Sequence, residues 1–256
     1  MGDLRALAAR LEDLIWPRRL NCIFCGDPRR TDRETGLCPD CLTALERSRV
    51  PGAACPRCLS LIGKHRPCAF CKKGGLKGID RAYAPFWYLP VTRALIHSLK
   101  FGGSTDALPL LTGRMAASLT DGDFDMMAPV PLHPRREKER GFNQALLLAR
   151  GVSGLTGIPV EEKALIRRRN THRQSGLTHD RREGNVRDAF TSGAGDLTGK
   201  KVLLVDDVRT TGHTAAACAS VLRDLGAEKV CLLTACAVAR PEEEKRVGRT
   251  GSGSIK

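Results

Sequence analysis

The chain has 256 residues, 41% hydrophobic and 27% charged, enough for one large or two smaller domains and too apolar for disorder as its main state. Forty-two Lys and Arg against twenty-eight Asp and Glu leave a formal charge of +14, which favours anionic partners such as phosphates, nucleotides or nucleic acid. No apolar run approaches the ~20 residues that span a bilayer, and MGDLRALAARLEDLIWPRRL has charges where a signal peptide needs an apolar block, so the sequence reads as cytoplasmic without membrane insertion.

Residues 1–20 predict an N-terminal helix from about Leu4 to Trp16, with Leu4, Leu7, Ala8, Leu11, Leu14 and Ile15 on one face. Residues 21–72 form a cysteine-rich module holding eight of the eleven cysteines as four CxxC pairs: Cys22/Cys25, Cys38/Cys41, Cys55/Cys58 and Cys68/Cys71. One CxxC turn offers two thiolates to an ion and two turns close a tetrahedral shell, so the spacing predicts two structural zinc sites, a double zinc ribbon. Consecutive pairs give the simplest grouping, with an interleaved one open. His65 lies between the last two pairs, but four thiolates fill the shell without it. Metallation lowers the formal charge only to about +10. The knuckles are too short to bury a core of their own, which makes the metal a main source of their stability.

KKGGLKG, Lys72 to Gly78, is a glycine-rich junction. Beyond it strands and helices alternate. RAYAPFWYLP is β-rich, VTRALIHSLKFGG helical, Leu108 to Leu119 helical, MMAPVPL a short strand followed by HPRREKERG, and Asn143 to Val152 helical. KVLLVDDV is a buried strand, Thr214 to Leu225 a helix, and KVCLLTACAVA a last buried strand holding Cys231 and Cys236. The alternation predicts an α/β domain over 79–240 with a mainly parallel sheet flanked by helices. Residues 241–256 form a polar, flexible tail.

VLLVDDVRTTGHT, Val202 to Thr214, carries the most chemistry. Four apolar residues bury a strand, Asp206 and Asp207 emerge at its C-terminal end, where open α/β sheets bind ligands, and Thr210, Thr211, Gly212 and Thr214 form a turn whose N–H groups can surround a phosphate. Carboxylates do not favour phosphate but suit sugar hydroxyls or a Mg²⁺ carried with the substrate, so the combination suggests a phosphorylated sugar. AGDLTGKK, Ala194 to Lys201, is not a Walker loop: Ala194 replaces its first Gly and Lys201 its Ser/Thr.

Val202 to Thr214 resembles the phosphoribosyl-pyrophosphate motif of type I phosphoribosyltransferases. With the four CxxC pairs, VPLHPRREKERGFNQALLLAR and RRRNTHRQSGLTHDRREGNVRDAF, the chain resembles the ComF family, a double zinc ribbon fused to a phosphoribosyltransferase-like domain and associated with competence and DNA uptake. The resemblance implies that Asp206 and Asp207 contact the ribose hydroxyls and, in a catalytic site, stabilise charge at the anomeric carbon. It implies that Thr210, Thr211, Gly212 and Thr214 hold the 5′-phosphate, with Mg²⁺ accompanying phosphoribosyl pyrophosphate. A second, cationic loop would take the pyrophosphate, and His133, Arg135, Arg136 and Arg140 are its candidates. The stretch Arg167 to Arg187 is a candidate closing loop, with Arg181 and Arg182 set to meet the leaving group. No segment offers a nucleobase hood, which leaves the cysteine module as the candidate for that place.

Between His133 and Arg187, thirteen Lys/Arg face six Asp/Glu. This strip, with Arg167, Arg168 and Arg169 in succession, is a candidate track for single-stranded DNA. Phe86, Trp87 and Tyr88 are the sole aromatic cluster, and alternation places at least one in the core. Two functions follow: a competence or DNA-processing factor that binds a phosphoribosyl ligand, single-stranded DNA and competence or recombination proteins, and an active transferase moving a phosphoribosyl group to an unidentified acceptor.

Overall fold

In chain order the cysteine-rich part contributes α1 (Pro39–Arg47) and α2 (Ala69–Lys72). There follow β1 (Arg81–Tyr83), β2 (Phe86–Trp87), α3 (Pro90–Phe101), α4 (Leu108–Ser118), β3 (Met126–Pro129), α5 (Pro134–Arg140) and α6 (Gln144–Thr156). β4 (Leu165–Arg167), β5 (Phe190–Ser192), β6 (Lys201–Arg209), α7 (His213–Asp224) and β7 (Lys229–Ala237) complete the order. The structure is a computed structural model describing residues 21–27, 31–32, 35–62, 68–101, 105–120, 122–168, 189–193 and 195–240. The expected N-terminal helix, His65, Arg169, Arg181, Arg182 and the 241–256 tail lie outside the described residues.

The apolar runs VLLV and VCLLTACA dictate the centre of the sheet. Val202 to Val205 and Val230 to Leu233 are at most 1% exposed, as strands covered on both faces must be. β6 pairs in parallel with β3 on one side and β7 on the other, while β1 and β2 both pair in parallel with β7. RAYAPFWYLP is therefore two short strands on one neighbour, interrupted at Ala84 and Pro85. Phe86 and Trp87 point to opposite faces and both are buried, each in a different one of the two apolar clusters. The aromatic run is core, and only Tyr88 remains half-buried.

The helices begin where their local chemistry allows. Pro90 opens α3, and Thr92 Oγ1 accepts the Leu89 N–H at 2.8 Å. HPRREKERG is helix α5 rather than a loop: His133 Nδ1 accepts the Arg135 N–H at 3.2 Å, Pro134 sits at its first position, and Gly141 closes it in the left-handed region at φ 81°.

The cysteine-rich part lies along the free edge of β1 and β2. Trp87 N–H donates to Ser48 O, Val50 N–H to Pro85 O and Ala82 N–H to Pro56 O, at 2.6 to 3.0 Å. Cys55, Cys58 and Cys68 belong to the same apolar cluster as the sheet, so the short knuckles share the neighbouring core. Among the described residues no helix is long and apolar enough to cross a membrane.

Candidate functional site

Two groups of four sulfurs stand out. Sγ atoms of Cys22, Cys25, Cys38 and Cys41 all lie within 4.8 Å of one another, as do those of Cys55, Cys58, Cys68 and Cys71. A tetrahedron with metal–sulfur bonds of ~2.3 Å has edges of about 3.8 Å. Cys25–Cys38 and Cys55–Cys71 are 3.7 Å apart and Cys58–Cys68 3.6 Å. Both groups could hold a metal ion, and the chain brings the pairs together consecutively rather than interleaved.

The acid pair lies at the C-terminal end of β6, and consecutive positions on a strand face opposite ways. Asp206 shares its face with Val202 and Leu204, towards α7. Asp207 faces the Val205 and Leu203 side, where Lys100 from the end of α3 forms an ion pair with its Oδ2. The Lys100 and Asp207 side chains are 24% and 14% exposed. Asp206 Oδ1 accepts the Asp207 N–H at 2.8 Å and Asp207 Oδ1 the Val208 N–H at 2.7 Å. Burial, then the neighbouring Asp207 charge, push the Asp206 carboxyl well above the usual carboxylate range, against the pull of the Asp207 amide and Lys100. Cys236 senses both Lys100 and Asp207, and burial pushes its thiol up to about 12.

After the acids the chain turns through Thr210 and Thr211, both exposed, to Gly212, which caps α7 at φ 89°. A Cβ there would meet Leu76 Cδ2 at 2.2 Å, so the glycine-rich junction of the cysteine-rich part packs directly on the turn. Gly78, at φ 75°, also fits against Ala219 of α7, where a Cβ would stand 3.1 Å from its methyl. The second cysteine group adjoins the same end of the sheet: Arg240, beyond β7, stacks on Phe70 and donates to Ser60 Oγ at 2.7 Å. Part of the module thus flanks the site beside the strand ends.

The arginine candidates separate. Arg135 points outward, its Nε 3.1 Å from Glu139 Oε1 and 71% exposed, and Arg140 donates to Gln144 Oε1 at 3.0 Å. Arg136 is near enough to Arg167 for their like charges to interact. Arg167, expected on the DNA strip, instead turns inward. Leu165 is buried and Ile166 exposed, so alternation along β4 sends Arg167 to the buried side. There its guanidinium lies 5.2 Å from the Phe190 ring and within electrostatic reach of Asp206 and Cys218. Arg168 points to solvent.

Three further residues were given no role at the site by the sequence reading. Lys100 had one faint signal, a lysine directly after an apolar helical stripe and before Gly102 and Gly103. Asn143 caps α6 through Ala145 N–H at 3.0 Å and donates to Val130 O at 3.1 Å, fastening α6 to the end of the β3 segment. Thr234, 1% exposed, stands opposite Asp206 in the β6–β7 register, with no partner for its hydroxyl among the described residues. Only pairing could reveal it.

Residues 144–250 match the phosphoribosyl transferase domain model. The chain is 32% identical to the DNA utilization protein YhgH of Escherichia coli K12 over 84% of its own length and 89% of that protein. It is 27% identical to competence protein ComFC of Streptococcus pneumoniae over 82% and 97%, and 36% identical to competence protein F of Haemophilus influenzae over 41% and 47%. Among solved structures, the glutamine phosphoribosylpyrophosphate amidotransferase of B. subtilis aligns with a TM-score of 0.38 and 25% identity, over 54% of this chain and 30% of that one. With its cysteine-rich N-terminal part and a relative 32% identical over most of both lengths, the chain belongs to the ComF family.

Proposed function

We propose that this chain is a DNA-handling protein of competence type whose parallel sheet carries a binding site for a ribose 5-phosphate group, supplied by phosphoribosyl pyrophosphate. The observation that carries the reading is Asp206 and Asp207 at the end of a central strand, followed within five residues by a hydroxyl-rich turn entering α7. The turn's N–H groups and Thr210, Thr211 and Thr214 suit a dianionic phosphate. The carboxyls suit the sugar hydroxyls, and Arg167, near Asp206, with Arg136 near it in turn, supplies positive charge for a diphosphate. Among the described residues the groups of three or more potential metal-ligating side chains are the two cysteine groups, so the acid pair by itself is short of a full ligand set. Any magnesium arrives as the counter-ion of the substrate.

The DNA half of the reading is supported by the names of the relatives, DNA utilization and competence proteins, and by the basic strip, of which Arg135 and Arg168 face solvent. Single-stranded DNA and competence or recombination proteins are the proposed partners, and two zinc ions in the cysteine groups are proposed as structural. Titration calorimetry with phosphoribosyl pyrophosphate tests the site. Replacing both acids, Asp206→Asn with Asp207→Asn, should cost at least ~2 kcal/mol of binding, the scale of hydrogen bonds to charged groups, with the fold retained. Unchanged affinity would refute the assignment.

Arg167 within electrostatic reach of Asp206, with Arg136 near Arg167, favours a second reading, in which the site also transfers the group. The bond from the anomeric carbon to pyrophosphate breaks as that carbon joins an acceptor, the two arginines meet the leaving group, and Asp207 faces the charge developing on the sugar. Release of pyrophosphate above the uncatalysed rate in the presence of an acceptor tests it.

A further inference from the structure

We propose that the cavity between the cysteine-rich segment and the outer edge of β1 is a second anion site, which takes a nucleoside monophosphate: the phosphate on Arg49, Arg81 and Arg114, the base and sugar on an apolar floor. It is separate from the acid pair, because β7 lies between β1 and β6.

The path of the chain makes the cavity. Val50 N–H donates to Pro85 O and Ala82 N–H to Pro56 O, so the segment touches the sheet at both ends. Pro51, Gly52 and Ala54 line the space left between these contacts, and the C-terminal half of α4 closes another side with Arg114, Ala117 and Ser118. The cavity measures 320 Å³, at the low end of the range for pockets that bury small organic ligands. That volume asks for a body beyond the phosphate.

Three arginines line the space, and among the described residues no acidic one does. Glu46, outside the lining, pairs with Arg49 Nε and, at 3.0 Å, with a terminal nitrogen of Arg114. One carboxylate thus holds two guanidiniums side by side, with side chains 51% and 34% exposed. A guanidinium carries five N–H donors in a planar fork, so both can hold Glu46 and still meet a phosphate. Arg81 comes from β1, lies 5.2 Å from the centre of the Tyr83 ring and donates to Thr120 Oγ1 at 3.4 Å. Three guanidiniums against one carboxylate leave an excess of two positive charges, which matches a phosphate monoester better than the single charge of an internal phosphodiester. Pro56, Ala84 and Pro85 supply apolar walls, and guanidinium planes stack on nucleobases. A free mononucleotide and the 5′-phosphorylated end of a single strand share this chemistry.

The test is calorimetry with deoxyadenosine monophosphate on the full metal-loaded chain, and anisotropy with one single-stranded oligonucleotide in 5′-phosphorylated and 5′-hydroxyl forms. Two variants probe the cavity, Arg114→Gln by charge and Gly52→Phe by space. Gly52 lines the cavity, and a Cβ there meets nothing within 4 Å, so the larger side chain occupies the space with the arginines unchanged. Each variant should weaken mononucleotide binding about tenfold or more, the scale of one charge-assisted hydrogen bond, and where one fails to fold the other decides. Asp206→Asn with Asp207→Asn should bind the mononucleotide as wild type does. A strand end as the source gives about tenfold tighter binding of the 5′-phosphorylated oligonucleotide, a preference that Gly52→Phe removes. Equal binding of the two oligonucleotides, with the mononucleotide bound, assigns the cavity to the free nucleotide. The proposal is overturned if wild type shows neither mononucleotide binding nor a 5′-phosphate preference, if both folded variants bind as wild type does, or if only the acid-pair variant loses binding.

Discussion

Replacing Gly212 by alanine strikes the site and the junction together. At φ 89° an alanine pays ~1–2 kcal/mol for the left-handed region. Its Cβ would stand 2.2 Å from Leu76 Cδ2, whereas carbon atoms rest at about 3.5–4.0 Å, so Leu76 must retreat by about 1.5 Å. Leu76 is 4% exposed and embedded in the main apolar cluster, so the displacement costs a further ~1–3 kcal/mol. Gly212→Ala should therefore destabilise by about 2–5 kcal/mol and weaken phosphoribosyl pyrophosphate binding. Leu76→Ala alone should cost ~2–5 kcal/mol. Because the smaller side chain removes the clash, the double variant should be less damaged than the sum by about 1–3 kcal/mol. Urea denaturation of the four proteins, metal-loaded and reduced, measures the cycle. Additivity within ~0.5 kcal/mol would refute the packing of the junction on the turn.

Asp206→Asn should weaken ligand binding yet stabilise the free protein at neutral pH. A carboxyl whose folded value is raised binds its proton more tightly when folded, so its contribution to stability is full below about pH 4 and lost as pH rises through that raised value. Thermal unfolding should show the advantage of the variant growing upward from that pH; equal curves throughout would count against a buried acid. Cys218, Cys231 and Cys236 should resist iodoacetamide in the native protein, since burial pushes Cys218 well up, Cys231 to about 11 and Cys236 to about 12. Mass spectrometry finding native Cys236 alkylated would contradict this. Metal analysis should give two zinc ions per chain, and fewer in reduced protein would sink that assignment. Arg167→Ala should weaken phosphoribosyl pyrophosphate binding about tenfold and leave the salt dependence of oligonucleotide binding intact. Arg168→Ala should do the reverse, lowering the slope by roughly 0.7; anisotropy and calorimetry on both variants decide.

Strands and helices with one dominant local signal were legible. The apolar runs ending in Asp206 and Asp207 and filling KVCLLTACA could be little other than central strands, and Asn143 marked the start of a helix. The cysteine spacing announced two four-sulfur groups for the same reason: the chemistry is local. What escaped depends on pairing and direction. Arg167, Arg168 and Arg169 look alike in sequence, yet one residue of strand alternation sends Arg167 towards Asp206 and Arg168 to solvent. HPRREKERG reads as a loop by its charge, although Pro134 and Gly141 bracket a helix. Lys100 meets Asp207 across more than a hundred residues, a contact that no periodicity encodes.

The backbone bonds from Val50 and to Ser48 and Pro56 also bear on solubility. β1 and β2 are short outer strands whose unpaired amides and carbonyls would otherwise offer a template for a second sheet, and the cysteine-rich segment occupies that line. A metal ion holding this segment in place would therefore guard against self-association. Stripped of it, the protein should form oligomers through its opened margin before the rest of the sheet unfolds, and light scattering during chelation should rise ahead of any loss of helical circular dichroism.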